Sequence, residues 1–196
     1  MLFHFSLVIA FKLLDMKKII LSIFSCLIST MLLAKTMDTI PIPEFVNEVY
    51  YYDKANTILI PLEKANAEMK NKMKLIGGGS AAYAIGGDKS ATRINPEGAS
   101  FVITMSAGSM MDPAMTINLY RFESRKGRRE AAMSQYSSMG GGQKGGNAVE
   151  IKFKRVKEGT FEIIIIGNLV KGEYGFINSY SMGAGGGMTT FAFGVD

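Results

Sequence analysis

The chain has 196 residues, of which 47% are hydrophobic, and a formal net charge of +5. This length suits one domain that buries roughly two thirds of its unfolded surface. The sequence contains one histidine, His4, one cysteine, Cys26, and no tryptophan. Their positions therefore decide which chemistries are open to the folded protein.

The N-terminal segment has the order of an export signal. Met16 is followed by two lysines, an uninterrupted apolar run over 19–33 and the small residue Ala34. We predict a signal peptide over 1–34 that is cleaved after Ala34. A cleaved signal is favoured over a retained anchor because a membrane span needs about 20 apolar residues. We therefore expect an exported protein, either periplasmic or extracellular at the cell surface, whose mature chain has no stable membrane insertion.

Residues 1–15 precede this signal, and His4, Lys12 and Asp15 interrupt their apolar run. We interpret them as the result of a start codon assigned too early, with Met16 as the true start. Cys26 follows Ser25 but lies in the middle of the apolar run, which argues against a lipid anchor at this cysteine.

Cleavage after Ala34 removes His4 and Cys26 together. The mature chain over 35–196 would then have no imidazole and no thiol, which excludes Ser-His-Asp and Cys-His nucleophiles, ordinary zinc sites and disulfides. Cleavage also removes three lysines and one aspartate, which lowers the formal net charge to +3. This mild excess does not indicate nucleic-acid binding, which usually needs a strong clustered basic surplus.

The mature chain reads as a single all-β domain. Glycine is absent before residue 77, and the glycines beyond it separate short apolar runs. "VEIKFKRV" alternates, with Val149, Ile151 and Phe153 on one face, and a turn at Glu158-Gly159 leads into "TFEIIIIG". These two runs predict a hairpin whose second strand is covered on both faces. Other strands are predicted over 46–53, 57–62, 81–85, 90–94, 101–105, 115–122, 172–180 and 188–195.

Residues 62–76 are ambiguous. One face of a short helix would carry Leu62, Ala65, Met69, Met73 and Ile76. Lysines that alternate with apolar residues over 69–75 fit a strand instead. Both interpretations stay open.

The C-terminal run "LVKGEYGF" presents Leu169, Gly172 and Tyr174 as Leu-x-x-Gly-x-Tyr. This resembles the tyrosine corner of immunoglobulin-like and carboxypeptidase-regulatory-like sandwiches. With the alternating "TTFAFGVD" it is similar to the endings of uncharacterised small exported bacterial β-proteins. The resemblance implies a mostly antiparallel, immunoglobulin-like β-sandwich and supplies no catalytic residues.

The stretch "MGGGQKGGN", residues 139–147, raises the question of a phosphate-binding loop. A P-loop needs Gly-x4-Gly-Lys-Ser/Thr followed by a helix, whereas Lys144 is followed by Gly145-Gly146-Asn147 and a predicted strand. We predict a hairpin loop here, and likewise at 77–79 and 185–187.

Two groups of residues are candidate binding sites. The first is the basic cluster around the turn at Lys126-Gly127, and the second is the pair of rings that Tyr50 and Tyr52 present on one face of a strand. Arginine forks suit carboxylates and phosphates, and aromatic rings can stack on sugars. The plainer alternatives are a solvated hairpin tip and core packing. The cluster consists of Arg121, Arg125, Lys126, Arg128 and Arg129.

No cofactor and no metal are predicted. Methionines such as Met105, Met110, Met111 and Met115 could hold Cu(I), but methionine more often fills cores. A glycosidase needs only two carboxylates, and nothing in the sequence selects a pair among Glu44, Glu48, Asp53, Asp88 and Asp112.

We therefore expect no enzyme but an exported binding or structural module of the cell envelope. Its partner would be an anionic envelope polysaccharide or another envelope protein. The alternatives are a small outer-membrane β-barrel and a carboxylate-based glycan hydrolase. The apolar residues on both faces of "TFEIIIIG" argue against the barrel, because a barrel needs a polar face towards its lumen.

Overall fold

The structure is a computed structural model that describes residues 40–74, 78–106, 111–136, 144–182 and 187–196. Residues 40–196 form one compact unit. The predicted signal peptide over 1–34 lies outside the described residues. Within those residues, no helix has the length and apolar character needed to cross a membrane.

The described chain consists of strands with one short 3-10 turn at Pro113–Met115. The strands are β1 (Val49–Asp53), β2 (Ile58–Pro61), β3 (Glu63–Lys74), β4 (Gly78–Gly86), β5 (Arg93–Ile94), β6 (Ser100–Thr104), β7 (Ile117–Ser124), β8 (Arg128–Tyr136), β9 (Lys144–Gly145), β10 (Ala148–Val149), β11 (Ile151–Lys157), β12 (Thr160–Ile165), β13 (Gly172–Met182) and β14 (Met188–Val195). The prediction of an all-β, mostly antiparallel protein is confirmed, with β5 and β14 forming a parallel pair.

Six of these strands close into a barrel. The order β7-β13-β14-β3-β4-β8 runs through the larger sheet, and β7 also pairs with β8, which joins the two ends of the row. The direct β7–β8 ladder is short, with Glu123 opposite Glu130 and Ser124 opposite Arg129. Closure removes the exposed edges that an open sheet of these strands would have.

A strap formed by residues 144–149 bridges the rest of the seam between β7 and β8. Its first half, β9, pairs with β8, and its second half, β10, pairs with β7. Between them, Asn147 donates its backbone N–H to the carbonyl of Ala132 and accepts from the N–H of Arg121. A Cβ at Gly146 would overlap the backbone of Ala132 and Met133. The strap can therefore lie this close to β8 only because residue 146 is glycine.

The barrel interior is a packed core. Alternate residues of its strands point inwards, and the interior contains Ala67, Tyr83, Ile85, Phe122, Ala131, Ile177 and Ala192. Small and large side chains complement each other there. At Gly175, for example, a Cβ would lie 3.0 Å from the ring of Phe122 and 2.9 Å from the Thr190 methyl group, so the absence of a side chain makes room for both.

The second sheet has the order β11-β12-β6-β1-β2 and packs on the outside of the barrel wall formed by β7, β13 and β14. Phe101 on β6 lies at the centre of this layer, with its ring centroid 4.8 Å from that of Phe176 and 5.0 Å from that of Phe193. Because β13 and β14 separate the two cores, their side chains alternate between the barrel interior and this layer.

The β11–β12 hairpin is confirmed, with Phe153 opposite Ile163 and a left-handed Gly159 in the turn. Of the ambiguous stretch 62–76, the described residues 62–74 form no helix. The helix alternative is wrong because β3 runs from Glu63 to Lys74 and pairs with β4 and β14 along this stretch. The predicted sandwich also differs from the structure, because the pairing of β7 with β8 closes one of the two sheets into a barrel.

Candidate functional site

The predicted basic hairpin lies at the turn between β7 and β8. Arg125 and Arg128 form the two backbone hydrogen bonds that close the turn, and Lys126 and Gly127 both have left-handed backbones. The exposed guanidinium of Arg125 donates to Glu123 over 2.7 Å. Two members of the basic cluster, Arg125 and Lys126, therefore occupy a solvated tip.

Arg129 does not belong to that exposed tip. Its side chain is only 1% exposed and points into the end of the barrel, because β8 alternates and Arg129 shares the inner face with Ala131. The guanidinium donates to Glu63 Oε1 over 2.6 Å and to the carbonyl of Gly86 over 2.9 Å. The prediction that Arg129 forms part of an exposed binding patch is therefore wrong, since the inward register of β8 buries it.

An ionic network extends from Arg129 to the surface. Its Nη1 atom lies 3.8 Å from Oε2 of the buried Glu173. The carboxylate of Glu173 also accepts two hydrogen bonds of 2.7 Å, at Oε2 from the Ser90 N–H and at Oε1 from Arg93 Nη1. Arg93 Nη2 donates to Asp196 over 2.7 Å. The carboxylates of Glu173 and Asp196 thus each face an arginine, and neither contributes an unpaired negative charge at this end of the barrel.

Next to this network lies an open cleft of about 390 Å³, which we call the basic cleft. Three of its four cations come from separate segments, with Arg121 on β7, Lys171 before β13 and Lys89 after β4, and the fourth is Arg93 on β5. Also lining it are Phe122, Glu123, Ser124, Asn147, Gly172, Glu173, Val195 and Asp196. Of the five residues in the predicted basic cluster, Arg121 alone lines this cleft.

Glycines position the arginines of the basic cleft. A Cβ at Gly172 would lie 3.2 Å from Nε of Arg121, whose Nη2 donates to the carbonyl of Lys171 over 3.2 Å. A Cβ at Gly194 would overlap the guanidinium of Arg93. Both arginines therefore lie directly across the backbone of the strands beneath them.

Lys89 and Lys171 give the basic cleft its surplus of positive charge. Both are exposed, and in the described part of the chain neither has a carboxylate within 4.0 Å. The hydrogen bond from Arg93 lowers the pKa of Asp196, and the charges of Lys171 and Lys89 lower it further. Likewise, the hydrogen bond from Arg125 and the nearby charge of Arg121 lower the pKa of Glu123. Both carboxylates therefore stay ionised, and the lysines remain available to a ligand.

Tyr50 and Tyr52 do not form an open stacking surface. Their side chains are only 6% and 4% exposed. Neither ring belongs to the core around Phe101, because both point to the opposite face of the sheet. Burial raises the pKa of Tyr50, and the nearby charge of Glu48 raises it further. Neither ring face is accessible to a sugar in this structure.

Tyr174 makes the contacts that its sequence motif implies. Its hydroxyl donates to the carbonyl of Val170 over 2.8 Å and accepts from the N–H of the same residue over 3.2 Å. Its ring stacks on Phe193 at 5.4 Å between centroids, and Leu169 is buried in the same core. This corner holds Lys171 and Gly172 at the rim of the basic cleft.

Several of the carboxylates named for glycan hydrolysis have local structural contacts instead. Glu48 pairs with Lys64, Asp53 accepts hydrogen bonds within its own turn, and Asp88 accepts from the N–H of Gly127. Asp112 caps the 3-10 turn. No group of three acidic, histidine or cysteine side chains suited to a metal occurs among the residues that the structure describes.

The remaining sequence-based sites fall partly outside the described residues. These include 139–143 of the glycine-rich stretch, glycines 77, 185 and 186, and Met110. Within the described part, Lys144-Gly145 forms a strand and not a loop, and strand β10 follows instead of the helix that a P-loop requires. Similarly, Gly78 and Gly79 belong to β4.

Comparison with known proteins gives no relative: no family model, no curated protein and no solved structure matches this chain.

Proposed function

We propose that the protein is an exported, non-catalytic module of the cell envelope that binds an anionic envelope polysaccharide in the basic cleft. The observation that carries the proposal is the convergence of Lys89, Arg121 and Lys171 around one cleft. Guanidinium and ammonium groups are the natural partners of sugar carboxylates and phosphates. The sandwich-like packing of the five-stranded sheet on the barrel would serve as a rigid support for this site.

The charges around the cleft support an anionic ligand over a cationic one. Glu173 and Asp196 both pair with Arg93, and Glu123 pairs with Arg125. A cationic ligand would have to displace these arginines from the carboxylates. An anionic ligand could bind Lys89 and Lys171 without displacing any group. Asn147 also lines the cleft, where its side chain hydrogen-bonds Glu123.

Charge attraction alone would hold such a ligand, and no catalytic step is needed. The three cations lie at an open surface, where each contact is worth little alone and is screened by salt. A polymer that carries many charges would engage several of them together, which favours a polysaccharide over a single small anion.

Retention on immobilised polygalacturonate, a polymer of uronic acids, tests the proposal. We expect the wild-type protein to be retained at low salt and the triple variant Lys89→Gln/Arg121→Gln/Lys171→Gln to pass through. The control is Arg125→Ser/Lys126→Ser/Arg128→Ser, which removes the same number of charges from the hairpin tip. Loss of retention in the control but not in the cleft variant would move the site to the tip. Equal retention of all three proteins would refute binding through either.

A further inference from the structure

The edge strand β11 presents a row of cations outside the basic cleft. Lys152, Lys154 and Lys157 are all exposed on this strand, which pairs on one side with β12 and forms the edge of the five-stranded sheet. We call these three residues the lysine row. Alternate residues of a strand lie about 6.7 Å apart, so the row extends in a line along the sheet edge.

A β-bulge brings Lys157 into this row. Lys152 lies opposite Ile164 and Lys154 opposite Glu162, on the face of the sheet that points away from Phe101. Strict alternation would put Val156 next on that face. The register shifts between Arg155 and Lys157, however, so that Lys157 lies opposite Thr160. Bulges redirect side chains in this way, and here the effect is to continue a run of lysines on one face.

The lysine row has few counter-charges. Lys154 Nζ lies 3.6 Å from the buried Glu162, which it shares with Lys54 at 3.7 Å. Neither Lys152 nor Lys157 has a carboxylate within 4.0 Å among the described residues. The carboxylate of Glu162 is also engaged by the Ser100 hydroxyl at 2.7 Å. The single carboxylate of Glu162 cannot neutralise both Lys54 and Lys154.

The chain connects the row closely to the basic cleft. Asn147 lines the cleft, and Lys152 follows five residues later. Five residues span at most about 17 Å even when fully extended. A linear polymer held in the cleft would therefore have the row within its reach.

We infer that the lysine row is a second subsite for an extended anionic polysaccharide. The inference rests on the proposed function for the identity of the ligand, but on separate residues for its contacts. The row favours a linear polymer over a membrane surface because its charges follow one strand and do not spread over a plane. Linking two weak contacts on one polymer raises the overall affinity without any new contact.

The test compares ligand length in two variants. Binding of galacturonate disaccharide and of polygalacturonate is measured for wild type, for Lys152→Gln/Lys154→Gln/Lys157→Gln and for the cleft variant. We expect the row variant to bind polygalacturonate at least ten-fold more weakly than wild type and to bind the disaccharide equally well. The matched control is Arg125→Ser/Lys126→Ser/Arg128→Ser, which removes the same number of positive charges from the hairpin tip.

The outcomes separate the two proposals. Unchanged polygalacturonate affinity in the row variant overturns the second subsite. Weaker polymer binding in the row variant, with no effect of the cleft variant on either ligand, supports the row and refutes the cleft. Binding of the row variant to anionic phosphatidylglycerol vesicles is measured in parallel. A loss there, with polymer binding intact, would show that the row is a membrane contact and would also overturn the inference.

Discussion

Arg129 and Glu63 meet inside the end of the barrel, with Nη2 of the arginine 2.6 Å from Oε1 of the glutamate. They come from β8 and β3, two strands separated in the barrel by β4. The arginine also donates to the backbone at Gly86 and Gly87, beside that intervening strand. Arg129 therefore connects β8 with β4 and β3, at the end of the barrel where the basic cleft lies.

Arg129→Ala should destabilise the protein by about 3–5 kcal/mol, because it removes the buried cation that pairs with Glu63. Arg125→Ala is the matched control. Its pair with Glu123 is exposed to solvent, where an ion pair contributes little to stability. The free energy of unfolding from urea denaturation distinguishes the two variants. A loss at Arg129 no larger than that at Arg125 would contradict the structural role of the buried pair.

Stability should fall in acid, partly because of Glu63. Burial raises the pKa of Glu63, but the hydrogen bonds from Arg129, Ser90 and the Ala91 N–H outweigh it and lower the pKa overall. The unfolded chain then binds a proton at a higher pH than the folded one. The stabilisation that ionised Glu63 provides is therefore fully present above its unfolded pKa, near 4.5. It is lost as the pH falls through the lower pKa that Glu63 has in the folded protein.

Glu63→Gln should be less stable than wild type at neutral pH and should lose less stability between about pH 5 and pH 3. Unfolding midpoints measured across this range provide the check. Parallel pH profiles for the two proteins would show that Glu63 has no part in acid unfolding.

Tyr174→Phe should cost about 1 kcal/mol, the usual net value of a hydrogen bond, because Val170 is half exposed and its freed backbone groups can reach water. Tyr51→Phe is a suitable comparison, since the Tyr51 hydroxyl lies 3.5 Å from the carbonyl of Asn95 and its bond is weak. Thermal and chemical denaturation of both variants would measure the difference. An unchanged midpoint for Tyr174→Phe would argue against the tyrosine corner.

Gly175→Ala should destabilise the barrel by about 1–3 kcal/mol through overpacking against Phe122 and Thr190. At Gly86 a Cβ meets nothing within 4 Å, so Gly86→Ala should stay within about 0.5 kcal/mol of wild type. Both free energies come from the same denaturation experiment. Similar stability of the two variants would mean that the barrel interior adapts to the extra methyl group.

The sequence predicts the all-β class, the β11–β12 hairpin and the final two strands, because these depend on alternation and local turns. It does not reveal the barrel, since closure depends on the contact of Glu123 with Glu130 and on the strap at Asn147. The short strap strands carry no alternation that could be recognised. The sequence of 62–76 fits both a helix and a strand, and only the pairing of β3 with β4 and β14 decides between them.

The candidate site could be predicted only in part. Arg121 stands out in the sequence as one of a basic cluster, but Lys89 and Lys171 lie alone in their segments. Only the fold brings them to one cleft. Conversely, Arg129 is indistinguishable from its half-exposed neighbour Arg128 until the inward face of β8 is known.

The most direct test of the central claim is a titration of the ¹⁵N-labelled protein with galacturonate disaccharide, followed by the backbone amide resonances at low ionic strength. Binding in the basic cleft predicts concentration-dependent shifts in and around Arg121, Lys171, Gly172 and Asp196, which disappear in Lys89→Gln/Arg121→Gln/Lys171→Gln. These shifts should also weaken at about 0.15 M salt, where charges more than about 8 Å apart are screened. A spectrum that does not change with ligand, or shifts confined to residues outside the cleft, would contradict the account.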